Sequence, residues 1–198
     1  MTDHPNERGN DRLTAVAVEI EQHAAASGWD QPPRLFALVP TAELVQKEPD
    51  IAAQLGIAVD ADRPDALTPV EQDDLPEGPL DEVLAGITWP PEVAGCALAS
   101  EAVVLPPGAE DDAPAGDDDE LAAWAAGHPD RRDVRIAVAV LRDGSTGAAL
   151  RIRAAGGDAG AAGDIGDEVD GADGTGDELV TGDDLAPNLA EALRATLG

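Results

Sequence analysis

The sequence is short of the residues from which most functional sites are built. Among 198 residues there is one cysteine, one lysine, one phenylalanine and no tyrosine. A single thiol, Cys96, excludes an intramolecular disulfide and with it a disulfide-stapled secreted scaffold. It cannot complete a zinc site either, because His4, His23 and His128 lack any mutual spacing typical of zinc ligands. No apolar run approaches the ~20 residues a membrane helix needs. The opening MTDHPNERGNDR is polar and lacks the apolar core of a signal peptide, so a soluble cytoplasmic chain is expected.

Motifs for group transfer are missing as well. No P-loop is present, and GAAGDIGDEVDG has the wrong spacing for a dinucleotide loop after a strand. Ser100 and Ser145 lack the G-x-S-x-G context of a nucleophile elbow. The loop GDEVDGADGTGDE invites comparison with a calcium loop, yet Gly166 falls at the first ligand position and Asp177 where a bidentate Glu belongs. Acids abound, but a useful carboxylate pair needs burial, and these cluster where burial is least expected. The expectation is therefore no cofactor, no metal and no assignable catalytic residue.

Acid and alanine are what the chain does have. Forty-one Asp and Glu face twelve Lys and Arg, a net charge of −29. Abundant Ala, Gly, Pro, Asp and Arg with almost no Lys is the usage of a GC-rich genome, which accounts for part of the acidity. The functional readings of the remainder are a partner for basic proteins, a salt-tolerant surface or a mimic of nucleic acid. Direct nucleic-acid binding is disfavoured, since phosphate contacts need a basic patch.

Periodicity divides the chain. Residues 1–11 read as a frayed, disordered N-terminus. Leu13, Val16, Ile20 and Ala24 recur at helical spacing, and Gly28 closes the pattern. RLFALVP (Arg34 to Pro40) reads as a buried strand. TAELVQK follows as a helix with Thr41 as its cap, Pro49 ends it, and a further helical turn follows. Residues 60–78 read as connection with a turn at TPVEQ. Leu80, Val83, Leu84 and Ile87 form a short helical stripe, and Cys96 to Val104 a strand. Residues 106–119 form an acidic Pro/Gly linker, and Glu120 to Gly127 a short helix carrying Trp124. Residues 156–182 hold no basic side chain and read as a disordered acidic Gly/Asp insertion. Asp184 then caps a helix with Leu185, Leu189, Leu193 and Leu197 in one stripe. The sum is one α+β domain over 12–155 plus 183–198: a single antiparallel sheet of about four strands with helices packed on one face.

Six of the eleven arginines fall in one stretch, DRRDVRIAVAVLRDGSTGAALRIR, Asp130 to Arg153. Val134, Ile136, Val138 and Val140 alternate with Arg135, Ala137 and Ala139, and a DGSTG loop precedes Leu150, Arg151, Ile152 and Arg153, so the stretch is a β-hairpin. Pairing of Arg142 near Ala148 sets Ala137 and Ala139 opposite Arg153 and Arg151. The outer face then becomes an alanine floor edged by Arg135, Arg151 and Arg153, with Arg142 and Glu101 at its border. Such a floor permits close approach, and its arginines offer bidentate contacts to an acidic peptide, a carboxylate or a second copy.

Four phrases, GWDQPPRLFALVPTAEL, ITWPPEVAGCALASE, RDVRIAVAVLRDG and ELVTGDDLAPNLAEALRATL, resemble an actinobacterial family of uncharacterised proteins named after a propionibacterial locus tag. The resemblance spans most of residues 10–155 and 177–198, with 157–176 as an extra insertion. It implies a bacterial, cytoplasmic protein with no assigned activity, encoded near membrane-associated proteins, and it carries over no catalytic residue. The leading expectation is a non-catalytic binding or adaptor protein that uses the basic outer face of the 133–153 hairpin. Its partner is a protein, membrane-associated or a second copy, with no nucleic acid and no membrane insertion. One alternative is a small enzyme with a pocket near Trp29 and Trp89 and with Cys96 or His23 as reactive group. The other is an acidic nucleic-acid mimic.

Overall fold

The computed structural model describes residues 5–54, 56–154 and 177–198. The chain runs α1 (Pro5–Ala25), β1 (Arg34–Pro40), α2 (Thr41–Lys47), α3 (Pro49–Gln54), β2 (Leu67–Glu71), α4 (Leu80–Ala85) and β3 (Gly95–Val104), then α5 (Asp118–Gly127), β4 (Arg132–Leu141), β5 (Thr146–Ile152), β6 (Glu178–Gly182) and α6 (Pro187–Thr196). All strands join one antiparallel sheet in the order β2-β1-β3-β4-β5-β6. This is the expected α+β architecture, and each of the four expected strands is present.

Two strands were not anticipated. Pro69 made LTPVE look like a turn, yet β2 is an edge strand. Backbone bonds from Gln72 N–H to Leu35 O and from Thr41 N–H to Ala66 O, both 2.9 Å, leave Pro69 facing away from β1. A proline there forfeits no ladder bond. β6 lies inside the stretch expected to be disordered over 156–182, and Leu179 and Val180 pair with Arg151 and Leu150. The remainder of that stretch, 156–176, lies outside the described residues. The first helix also starts early. Residues 5–11 are helical, and Asn10 accepts from Thr146 N–H at 3.0 Å and donates to Asp183 at 2.7 Å. Two caps differ too. Thr41 is the first residue of α2 and bonds Thr68 at 2.9 Å, and Ala186 instead of Asp184 occupies the cap position of α6.

Strand alternation sends side chains to two faces of different depth. Ala97, Ala99, Ala137, Ala139 and Ala149 share one face and are buried under Leu13, Val16, Ala17 and Ile20 of α1. The opposite face carries Leu98, Ile136, Val138 and Val140, and there α6 and α4 pack Leu193, Leu197 and Leu84. The expected helix layer is therefore joined by a second one on the other side of the sheet. The alanine floor is a seat for the chain's own first helix.

The hairpin closes more tightly than a DGSTG loop implies. Val140 pairs with Thr146, and Gly144 takes φ of 90°. Gly144 N–H bonds Leu141 O at 3.1 Å and Leu141 N–H bonds Ser145 O at 3.0 Å. A turn over Arg142, Asp143 and a left-handed glycine is the three-residue hairpin geometry. The register moves accordingly: Ala137 faces Ala149, Ala139 faces Gly147, and Arg135 faces Arg151.

Helix α1 comes closest to the sheet at Gly147. A Cβ built there would lie 2.2 Å from Thr14 N and 2.3 Å from Leu13 C. Valine favours strands in general, but Gly147→Val is expected to destabilise the protein by about 1–3 kcal/mol through overpacking. Urea unfolding checks this, and an unchanged or raised midpoint would mean that α1 does not bear on β5.

Candidate functional site

Two of the hairpin arginines, Arg135 and Arg151, converge on one acid, Glu21, that charge counting does not single out. Glu21 lies on the buried stripe of α1, between Ile20 and Ala24, and its exposure is 0%. Its carboxylate receives Arg151 in fork geometry, Nε to Oε1 at 2.7 Å and Nη2 to Oε2 at 2.8 Å. Arg135 stands directly across the ladder from Arg151, with Nη1 3.6 Å from Glu21 Oε1. Arg135 also donates to Glu101 Oε1 at 2.8 Å and to the Gly28 carbonyl. Glu101, opposite Arg135 on β3, accepts from Asp30 N–H at 2.7 Å.

Two arginines paired across a ladder repel each other unless an anion lies between them. Glu21 supplies that anion from the helix above, and Glu101 supplies a second from the neighbouring strand. Two cations meet two carboxylates, so the cluster is neutral by formal charge. Trp29 covers its open side, with the Arg135 guanidinium 4.4 Å and that of Arg153 5.3 Å from its ring centroid. Arg153 lies 3.8 Å from Asp133 as well.

Of the five residues expected to form a docking face, Arg135, Arg151 and Glu101 come together and Arg153 lies beside them over Trp29. The face is not an outer one, however. Arg135 and Arg151 are 2% and 4% exposed, because α1 covers the floor on which they stand. Arg142 belongs elsewhere. At the hairpin turn it donates to Val93 O at 3.0 Å, to Trp89 O and Pro90 O at 3.2 Å each, and to Leu197 O. A guanidinium on the last carbonyls of α6 suits the negative end of that helix. The space beside Arg135 and Glu101, walled by Pro32, Arg34 and Ser100, amounts to about 10 Å³. That volume holds about one water molecule and no substrate.

The residues proposed for an enzymatic pocket are not assembled either. Trp29 lies on the α1 side, whereas Trp89 packs with the α6 cluster and donates to Thr196 Oγ1 at 3.0 Å. Cys96 is fully buried beside Trp89, with Sγ 3.5 Å from Thr196 Oγ1 and 3.6 Å from Leu193 O. Burial pushes its thiol pKa up, against the lowering a nucleophile requires. His23 is exposed, bonds Glu71 at 2.9 Å and meets Phe36 edge-on. Among the described residues no three His, Cys, Asp or Glu side chains are grouped to hold a metal ion. The calcium-like loop lies almost wholly outside those residues. Among them, too, no helix is long and apolar enough to cross a membrane.

A protein-family model described as PPA1309-like protein matches residues 13–198, and the chain belongs to that family. The match bears out the resemblance carried by the four phrases. None of the curated proteins and none of the solved structures matches the chain.

The geometry makes two predictions. Arg151→Leu alone strands the Glu21 charge and is expected to cost about 3–5 kcal/mol, whereas Glu21→Leu/Arg151→Leu should be more stable than either single variant. Denaturant unfolding of the three proteins decides it; a double variant no better than the worse single would show that the pair does not act as a buried unit. Cys96 should resist a thiol reagent at about pH 8 in the folded protein and react fully on unfolding, and rapid labelling of the native chain would contradict its burial.

Proposed function

We propose that this member of the PPA1309-like family is a non-catalytic, cytoplasmic binding protein whose acidic exterior recruits a positively charged segment of a partner protein. One observation carries the reading. Arg135 and Arg151, the two buried cations of the hairpin, are spent internally on Glu21 and Glu101, and Arg142 is held by backbone carbonyls. Several cations nearer the surface are paired as well: Arg12 with Asp65, Lys47 with Glu43 and Arg63 with Asp60. Most of the described acids are turned outward, among them Asp73, Asp74, Glu77, Asp81 and Glu82 around the start of α4.

A surface on which acids far outnumber cations, 41 Asp and Glu against 12 Lys and Arg in the whole chain, projects a negative field that speeds encounter with cationic partners. The same field opposes DNA, RNA and anionic lipid headgroups. The expected basic docking face is thus replaced by its electrostatic opposite. A partner at the membrane remains compatible, provided that its basic segment reaches the cytoplasm. Mimicry of nucleic acid would be a special case and requires acids spaced regularly along a rigid element. The described acids instead gather at loops and helix starts, which favours a flexible basic peptide over a DNA-binding domain.

Capture from native lysate, with a solubilised membrane fraction included, tests the reading. Raising salt from about 0.01 M to about 1 M shortens the Debye length from about 30 Å to about 3 Å. A specific partner bearing a Lys/Arg-rich segment, released at least tenfold over that range, is the expected result. A partner held equally at high salt, or one with an acidic contact region, would overturn it.

A further inference from the structure

The two edges of the sheet are built differently. On β2 the outward-facing middle residue is Pro69, which has no N–H to offer, so that edge is blunted. The other edge is β6, the terminal strand of the order. Antiparallel strands bond on alternate residues, so the direction of each β6 amide follows from its neighbours. Leu141 N–H bonds Ser145 O at 3.0 Å and Arg153 N–H bonds Asp133 O at 2.9 Å, which turns the odd residues of β5 toward β4. The even ones, Ala148, Leu150 and Ile152, therefore bond Gly182, Val180 and Glu178 of β6. Leu179 and Thr181 are left with N–H and C=O aimed away from the sheet.

Both side chains are exposed, and Leu179 is one of the few large apolar side chains that are, at 37%. Acid flanks the strand at each end: Glu178 before, Asp183 and Asp184 after, all exposed. An edge with outward-pointing amides that pair with no strand among the described residues, an apolar handle and charged ends is a template for one further strand.

We propose that the β6 edge, Glu178–Gly182, is a docking site for an extended peptide segment with basic residues at its ends and β-branched residues in its middle. The inference rests on the reading above and names its surface. Charge selects this occupant over a second copy. Two β6 strands paired antiparallel through Leu179 and Thr181 would set Asp177 of one chain opposite Asp183 of the other, at both ends of the ladder. Like charges directly opposite destabilise such a pair, whereas lysine or arginine at those positions stabilises it.

The test uses the full chain and a blocked peptide, KRTVTVRK, beside the same peptide N-methylated at alternate central residues on its bonding edge. Methylation keeps the charge and removes the ladder donors. The protein variant Thr181→Pro does the same from the other side, and the peptide pair keeps the test decisive if that variant misfolds. Peptide anisotropy and amide exchange are the readouts. The expected result is binding of the plain peptide, at least tenfold weaker with either change, and slowed exchange at Leu179 and Thr181. Equal binding of both peptides with no protection at those amides would sink the edge site while leaving the acidic-exterior reading intact. Binding of neither peptide at low salt would overturn both. A dimer in sedimentation with those amides already protected, made monomeric by Thr181→Pro, would assign the edge to a second copy and overturn the inference.

Discussion

The register of α1 on the sheet turns on one buried carboxylate, Glu21. Taking Glu21 out of water costs several kcal/mol, and only the forked contact with Arg151 and the nearby Arg135 offset that cost. The arginines are equally dependent, since on adjacent strands they face each other directly. Helix, hairpin and β3 are thereby locked into one arrangement. A shift of α1 by a single residue would rotate Glu21 by about 100° out of its seat and leave two guanidinium groups under an apolar helix. The net stabilisation from such a cluster is small, because desolvation offsets most of its Coulombic gain.

Around that cluster the sheet solves two packing problems with two kinds of side chain. Alanine and glycine beneath α1 bring the helix backbone nearly onto the strands, and at Gly147 no atom could be added. Leucine, isoleucine and valine on the other face hold α6 and α4 further off and bury more area per residue. A chain with so few aromatics thus builds its core from close contact on one side and bulk on the other.

Much of this was legible in the sequence. Alternation located the strands at Arg34 to Pro40, at Cys96 to Val104 and in the hairpin, and the leucine stripe located α6. What escaped was whatever depended on partners distant in the chain. Pro69 reads as a turn until its outward orientation is known, and the polar start of α1 reads as frayed until Asn10 meets Thr146. The alanine floor and the arginine rim are both visible in the sequence, but composition does not say that what covers them is the chain's own first helix. A lone acid, Glu21, on the apolar stripe of the first helix was the available signal that the partner was internal. Nothing local announces an ion pair between residues so far apart, and the short turn at Gly144 set a register that loop composition alone did not give.

That distance has a consequence for how the chain is made. Glu21 and Arg151 are separated by 130 positions. At synthesis rates of roughly 5–20 residues per second, α1 leaves the ribosome about 7–26 s before the strand that neutralises it. During that interval the floor under its apolar stripe is incomplete and its acid lacks the forked counter-ion. The nascent chain must therefore wait, with its first helix unsatisfied, until the hairpin emerges. Long-range closure of this kind slows folding relative to local pairing.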